Sequence, residues 1–313
     1  MLEYTGKKDN IIKKMKKKEI TVNQQGTLIK DTSETIRINN LKMKYRKNFL
    51  NWFIGYIEGC ENVFIVNRRY LRFEINVSLK NQAIVYYIKN NLGFGKIRKL
   101  RFLGGIILEL SVQENITNLL KLIYIFNGNF RSEYKEQSFL FFYKKLKNKL
   151  KKLKLLNLLP DYIATLKDVS LVNSWLLGYI DSRLLFCGRW HKSKKLKEGK
   201  ELYLNCVFWH LNAELLQKIK DTLNLSNKIE MKTKWGLLLF KLEIEDINEK
   251  NIIINYLSNF KLKSEKVKRY KYWKYLFNLE NGSMQLGSQD FEKIEKYLKQ
   301  LHSTLDEGEL NKV

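Results

Sequence analysis

Asn51-Trp52-Phe53-Ile54-Gly55-Tyr56-Ile57-Glu58 and Ser174-Trp175-Leu176-Leu177-Gly178-Tyr179-Ile180-Asp181 are two copies of one pattern. Trp, Gly, Tyr, Ile and an acid recur in register, and Gly55 and Gly178 stand 123 residues apart. Both stretches carry the apolar content of a buried helix. A glycine inside a helix costs about 1 kcal/mol relative to alanine. Two apolar helices that each keep one predict that their backbones touch, because only a residue without a Cβ allows that approach. The two helices are therefore expected to pack on each other about a pseudo-twofold axis, with their C-terminal ends side by side.

The repeat continues beyond the two motifs. Lys96-Ile97 corresponds to Lys228-Ile229, and Ser132 to Ser264, each offset by 132 residues. The second copy is thus nine residues longer between the first landmark and the next, and the basic stretch 191–200 (HKSKKLKEGK) is the expected insertion, a long hairpin loop. In the first copy, apolar periodicity and β-branched content predict a helix at 44–59, strands at 63–69 and 71–79, a helix at 81–92, strands at 96–102 and 105–112, and a helix at 114–126. The second predicts helix 173–183, strands 184–190 and 202–210, helix 212–223, strands 228–234 and 237–245, and helix 248–258. The fold class is α+β: two pseudo-twofold-related αββαββα units in a monomer. The expected organisation is a basic extension (1–43), a first unit (44–130), a linker (131–172), a second unit (173–280), and a C-terminal helix and tail (281–313). Residues 131–168 read as largely helical and interrupted by Pro160, with a last amphipathic helix at 289–303.

Composition narrows the partner. Lys and Arg number 58 against 32 Asp and Glu, a net charge of +26 over 313 residues, which a polyanion would offset. The basic residues are interleaved with Tyr, Phe and Trp along the whole chain. This points to nucleic acid rather than a membrane-anchoring helix. No apolar run reaches membrane-spanning length. Cys60, Cys187 and Cys206 form no CxxC pair, and His191, His210 and His302 are scattered, so no structural metal site is predicted and the cysteines are expected to be reduced. Ala occurs only at 83, 164 and 213 and Pro only at 160, while Lys, Asn, Ile, Leu, Phe and Tyr dominate. Those are residues of AT-rich codons, and they suggest an AT-rich genome: an organellar one, mitochondrial or of another organelle, or that of a bacterium or parasite with biased DNA.

The Trp52–Gly59 and Trp175–Ser182 motifs, each followed by the same downstream order, resemble the LAGLIDADG homing endonuclease family in its two-motif, single-chain form. The resemblance spans about residues 44–280. It implies two saddle-shaped antiparallel sheets that track a nucleic-acid duplex. It also implies an acid at the end of each motif helix that holds the divalent metals for phosphodiester cleavage, because such metals want hard oxygen ligands. Here the two ligand slots fall on Cys60 and Arg183. Glu61 is one residue beyond the first slot, rotated by about 100° on a helix. A guanidinium keeps its charge and repels a metal. Glu58 and Asp181 remain, but in that family the earlier acid is mostly structural.

The expected product of these readings is a catalytically inactive, endonuclease-derived RNA-binding protein with no cofactor. Its partner is rRNA, with ribosomal proteins, in a mitochondrial ribosome, or group I intron RNA as a maturase. The alternative is a DNA homing endonuclease with residual Mg-dependent cleavage through Glu61. Candidate phosphate contacts are Arg68, Arg69, Arg72, Lys96, Arg98, Lys99 and Arg101 in the first unit. In the second they are Lys192, Lys194, Lys195, Lys197, Lys200, Lys232 and Lys234. Tyr70, Trp190, Trp209 and Trp235 could stack on bases or pack beside the sheets.

Overall fold

Two four-stranded antiparallel sheets flank a central pair of helices in the computed structural model, which describes residues 46–61, 63–67, 70–102, 105–113, 115–192, 200–234, 236–281 and 288–303. The predicted extension at 1–43 lies outside these residues. The first unit comprises α1 (Lys47–Gly59), β1 (Phe64–Val66), β2 (Leu71–Ser78), α2 (Gln82–Leu92), β3 (Lys96–Phe102), β4 (Gly105–Gln113) and α3 (Ile116–Phe126). The second comprises α5 (Trp175–Arg183), β5 (Leu184–Lys192), β6 (Lys200–His210), α6 (Ala213–Leu223), β7 (Glu230–Lys234), β8 (Leu237–Ile244) and α7 (Ile247–Asn259). The sheet orders β1-β2-β4-β3 and β5-β6-β8-β7 are the same permutation, so the sequence repeat is a structural repeat.

Strand alternation sets the two faces of each sheet. In β2 and β4, Phe73, Ile75, Val77, Leu108, Leu110 and Val112 are buried, and Phe73 meets Phe53 of α1 edge-to-face and packs tilted against Phe126 of α3. The intervening Arg72, Glu74, Asn76, Glu109 and Ser111 share the face turned away from these helices, in the register Glu74↔Ser111 and Asn76↔Glu109. The inserted residues of the second unit lengthen the β5–β6 hairpin, which pairs out to Lys192↔Lys200.

Between the units runs α4 (Glu133–Lys152), capped by Ser132, whose hydroxyl accepts from the Lys135 amide at 3.3 Å. Its Phe139 and Phe142 pack on Phe64. The helix ends at Lys152, well before Pro160, and Lys154 takes a left-handed φ of 55°. The linker is therefore less helical than predicted. Apart from a short 3-10 turn at Leu156–Leu158, 155–174 is an irregular strap. Asn127 ties the strap down twice: its side-chain amide donates to Asp161 O at 2.7 Å, and its Oδ1 accepts from Ile163 N at 2.9 Å. A helix missing from the sequence reading, α8 (Lys266–Asn281), follows α7 and precedes α9 (Ser288–Ser303). Trp273 of α8 is fully buried and donates its indole N–H to Cys187 O at 3.1 Å.

Candidate site at the paired helix ends

The two motif helices touch through their glycines, as predicted. A Cβ on Gly55 would stand 1.9 Å from the carbonyl oxygen of Trp175, and one on Gly178 would stand 1.8 Å from that of Trp52. This contact brings the C-terminal ends of α1 and α5 together. It also allows a reciprocal cross-link. The Trp52 indole donates to Asp181 Oδ2 at 2.8 Å, and the Trp175 indole donates to Glu58 Oε2 at 2.7 Å. Each acid thus accepts from the tryptophan of the other motif.

The same two carboxylates also bind backbone amides at the entry to the next helix. Glu58 Oε1 accepts from Arg131 N and Ser132 N, both at 2.7 Å, just ahead of α4. Asp181 Oδ1 accepts from Ser264 N at 3.0 Å and Ser264 Oγ at 2.6 Å, and Oδ2 accepts from Lys263 N at 3.0 Å, just ahead of α8. This explains why Ser132 and Ser264 recur in the sequence. Burial pushes both carboxyls above their ordinary values while these hydrogen bonds pull them back. Only donors are found on either group, so their oxygens are committed to structure.

The slots beyond them hold a different chemistry. Arg183 reaches across the pseudo-twofold: its Nε donates to Gly59 O, and its Nη2 pairs with Glu61 Oε1 at 2.9 Å. Cys60 occupies the other slot, and burial raises its thiol pKa, opposed by Arg183 and Lys135. Lys135, 1 % exposed, donates its ammonium to Cys60 O, and burial lowers its pKa to about 8. A thiol, a guanidinium, an ion-paired glutamate and two structurally committed carboxylates do not suit a hard divalent cation. Among the described residues, no group of three or more His, Cys, Asp or Glu side chains is placed to hold a metal ion.

His210 completes the cluster and was missed by sequence reasoning, since no local pattern marks it. Its Nδ1 accepts from Asn212 N at 3.1 Å, so its Nε2–H donates to Glu58 O at 3.2 Å and the ring is neutral. Burial first, then the Arg183 guanidinium, and then Lys135 less strongly, push its pKa down to about 3. A folded-state pKa below the unfolded value contributes stability above about pH 6.5 and loses it as pH falls toward 3. We therefore expect the parent protein to lose about 1.4 kcal/mol more than His210→Gln between pH 7.5 and 5.5 in urea titrations. Equal losses in the two proteins would show that the ring is not buried neutral.

The predicted phosphate contacts are split by the structure. Arg72, Lys96 and Arg98 lie on the sheet face turned away from the helices. Lys99 and Arg101 lie on the opposite face of β3, because the side chains of a strand alternate. Lys232 is on the outward face of the second sheet, while Lys192 and Lys200 pair at its hairpin end in the phase of the helix-side residues, and the side chain of Lys234 lies outside those described. Arg68, Arg69, Lys194, Lys195 and Lys197 lie outside the described residues, as does Trp235. The basic side chains on the outward faces are nearly matched by acids. Arg72 pairs with Glu74 at 2.9 Å, Lys232 with Glu230 at 3.1 Å, and Lys241 with Glu243, while Arg98 stands opposite Glu109. The aromatic candidates are engaged inside the protein. Trp190 stacks on Phe291, Tyr70 lies under the Arg72 guanidinium, and Trp209 is buried among Leu185, Cys187, Val207 and Leu239.

Comparison with known proteins agrees with this architecture. The LAGLIDADG endonuclease family profile matches residues 176–277. A probable intron-encoded endonuclease 4 of Neurospora crassa is 35% identical over 136 residues, 43% of this chain, which spans only 23% of that relative's length. A cox1 intron-2 37.2 kDa protein of Schizosaccharomyces pombe is 26% identical over 91% of this chain and 87% of its own. The intron-encoded RNA maturase bI4 of Saccharomyces cerevisiae is 27% identical over 80% of this chain and 39% of its own. Among solved structures, the meganuclease I-SmaMI bound to DNA superposes with a TM-score of 0.65 at 16% identity, covering 82% of this chain and all of that one. The endonuclease I-LtrWI bound to its target DNA gives 0.63 at 19%, covering 83% of this chain and all of that one. The chain thus carries a match to the LAGLIDADG endonuclease family model over residues 176–277, and the duplicated motif, the glycine contact and the matching sheet order repeat the same architecture in its first unit.

Proposed function

We propose that this protein is a maturase-like member of its family that binds RNA and no longer cleaves nucleic acid. The observation that carries this reading is the Arg183–Glu61 ion pair across the pseudo-twofold, with Cys60 in the remaining slot. A guanidinium placed where the resemblance puts a metal ligand excludes the cation by charge and competes for the one displaced acid. The fold that binds nucleic acid is kept, and the net charge of +26 is kept with it. The similarity to a relative described as an RNA maturase, extending over 80% of this chain, favours intron RNA over rRNA as the partner. The intron-encoded relatives and the AT-rich residue usage support an organelle-encoded, mitochondrial protein.

The decisive assay incubates the purified protein with a plasmid that carries its gene's own insertion site, with Mg²⁺ and with Mn²⁺, and in parallel with the precursor RNA of the intron. The expected result is no linear or nicked DNA above the no-protein control, together with faster splicing of the precursor. Double-strand cleavage that Glu61→Gln abolishes would overturn the proposal and restore the endonuclease. Co-sedimentation with ribosomal subunits, without any effect on splicing, would transfer it to the ribosome.

A further inference from the structure

The charge excess of the protein has to reside somewhere, and among the described residues of the outward sheet faces acids nearly match the bases. A long basic run lies on the C-terminal half of α4 and just beyond it. Residues 144–154 (KKLKNKLKKLK) contain seven lysines and no acid. Phe139, Phe142, Tyr143, Leu146 and Leu150 form the buried stripe of this helix, against Phe64 on the helix side of the first sheet. Lys144, Lys147, Lys151 and Lys152 are exposed on its other side. None of these four makes an ion pair with a described residue. Lys144/Lys147 and Lys147/Lys151 are one turn apart, and like charges at such spacing destabilise a helix. The helix dipole offsets this only in the last turn. The ridge is nonetheless held in order by the apolar stripe beneath it.

An aromatic pair continues the same exposed side toward the N-terminus. Phe141 is 68% exposed, and Tyr134, seven residues earlier and so on the same face, is 37% exposed. We propose that this ridge is a second docking surface, separate from the outward sheet faces, that takes RNA: Lys144, Lys147, Lys151 and Lys152 contact phosphates, and Phe141 stacks on an unpaired base. The proposal rests on the RNA-binding reading above and adds the place where RNA is held. Lysines alone fit any polyanion; an exposed aromatic beside them fits a strand with splayed bases better than a closed duplex. A membrane surface fits poorly, because the apolar side of α4 is already buried in the protein.

The test uses the full chain and a fluorescein-labelled RNA stem–loop, with the fully paired stem as a second probe. The quadruple variant K144A/K147A/K151A/K152A is expected to bind the stem–loop at least tenfold more weakly in 0.1 M salt, with the log–log salt slope reduced by roughly 3. Phe141→Ala is expected to cost about fivefold or more on the stem–loop and nothing on the paired stem. All these side chains are exposed and alanine favours helix, so melting temperatures should stay at the parent value. Unchanged affinity and slope in the quadruple variant overturn the inference. If Lys96→Ala/Arg98→Ala then abolishes binding, RNA lies on the sheets and the proposed function stands. If the parent protein binds the stem–loop no better than duplex DNA, both readings fall. Lysine-dependent binding to vesicles of anionic phospholipid, with RNA binding unaffected, reassigns the ridge to a membrane.

Discussion

Gly178→Ala is expected to prevent stable folding. The added Cβ would stand 1.8 Å from the Trp52 carbonyl oxygen, 2.8 Å from its carbon and 2.7 Å from the Tyr56 amide nitrogen. Every one of these atoms is backbone, so no rotamer change relieves the clash. The central helices would have to separate by roughly an ångström or more, in an interior that packs at crystal-like density. That separation would unseat Trp52, Phe53, Ile57, Trp175 and Ile180, all at most 1% exposed, and would stretch both indole–carboxylate bonds. Overpacking alone costs about 1–3 kcal/mol, and broken buried hydrogen bonds add to it. The sum is comparable with the whole stability of an ordinary domain. Gly59→Ala is the informative contrast, because its Cβ would meet the Ser182 hydroxyl, which belongs to a side chain. We expect Gly59→Ala to be milder and to be largely rescued by Ser182→Gly. No side-chain truncation should rescue Gly178→Ala. Soluble expression and urea titration decide it, and a Gly178→Ala protein within about 1 kcal/mol of the parent would show that the helices do not touch here.

The glycines made the fold legible because they are a local mark of a tertiary contact. The strands were legible for a similar reason: Leu71–Ser78 and Lys200–His210 carry the alternation or apolar density of sheets with one face on a core. Periodicity failed where charge is buried. In α8, Lys266 and Arg269 are 7% and 1% exposed, and basic and aromatic residues alternate around the whole helix, so no apolar stripe stands out. Lys135 likewise reads as a surface residue, yet its ammonium is spent on the Cys60 carbonyl. The strap at 155–174 has no period to read, because side-chain amides and backbone bonds hold it rather than an apolar face.

The site was half legible. The residue types at the ligand slots can be read from position alone, and they already argue against a metal. The role of each neighbour cannot, since it depends on partners more than a hundred residues away. The basic strand residues show the same limit. Arg98 faces Glu109 across the ladder, a pairing that only the register reveals, while Arg72 and Lys232 pair with Glu74 and Glu230 two positions along their own strands, so alternation puts base and acid on one nearly neutral face of the described sheet.

The second large effect is expected at the acids themselves. Asp181→Asn should destabilise the protein by about 3 kcal/mol, although it is nearly isosteric. Both carboxylate oxygens accept from N–H donors: Oδ1 from the Ser264 amide, and Oδ2 from the Trp52 indole and the Lys263 amide. An amide side chain offers one acceptor and one donor, so its NH₂ must face an N–H on one side or the other. Removing that opposed donor should recover part of the loss. Trp52→Phe is therefore expected to cost about 1–2 kcal/mol in the parent and much less in the Asp181→Asn background. The same relation should hold between Trp175→Phe and Glu58→Gln, because Glu58 Oε2 accepts from the Trp175 indole in the mirrored arrangement. Urea titration of both double-mutant cycles measures the two couplings. Strict additivity in either would mean that the indole–carboxylate bond is not formed there. Equal couplings would show that the two acids nearest the helix ends do one structural job twice, joining the halves of the chain and seating α4 and α8.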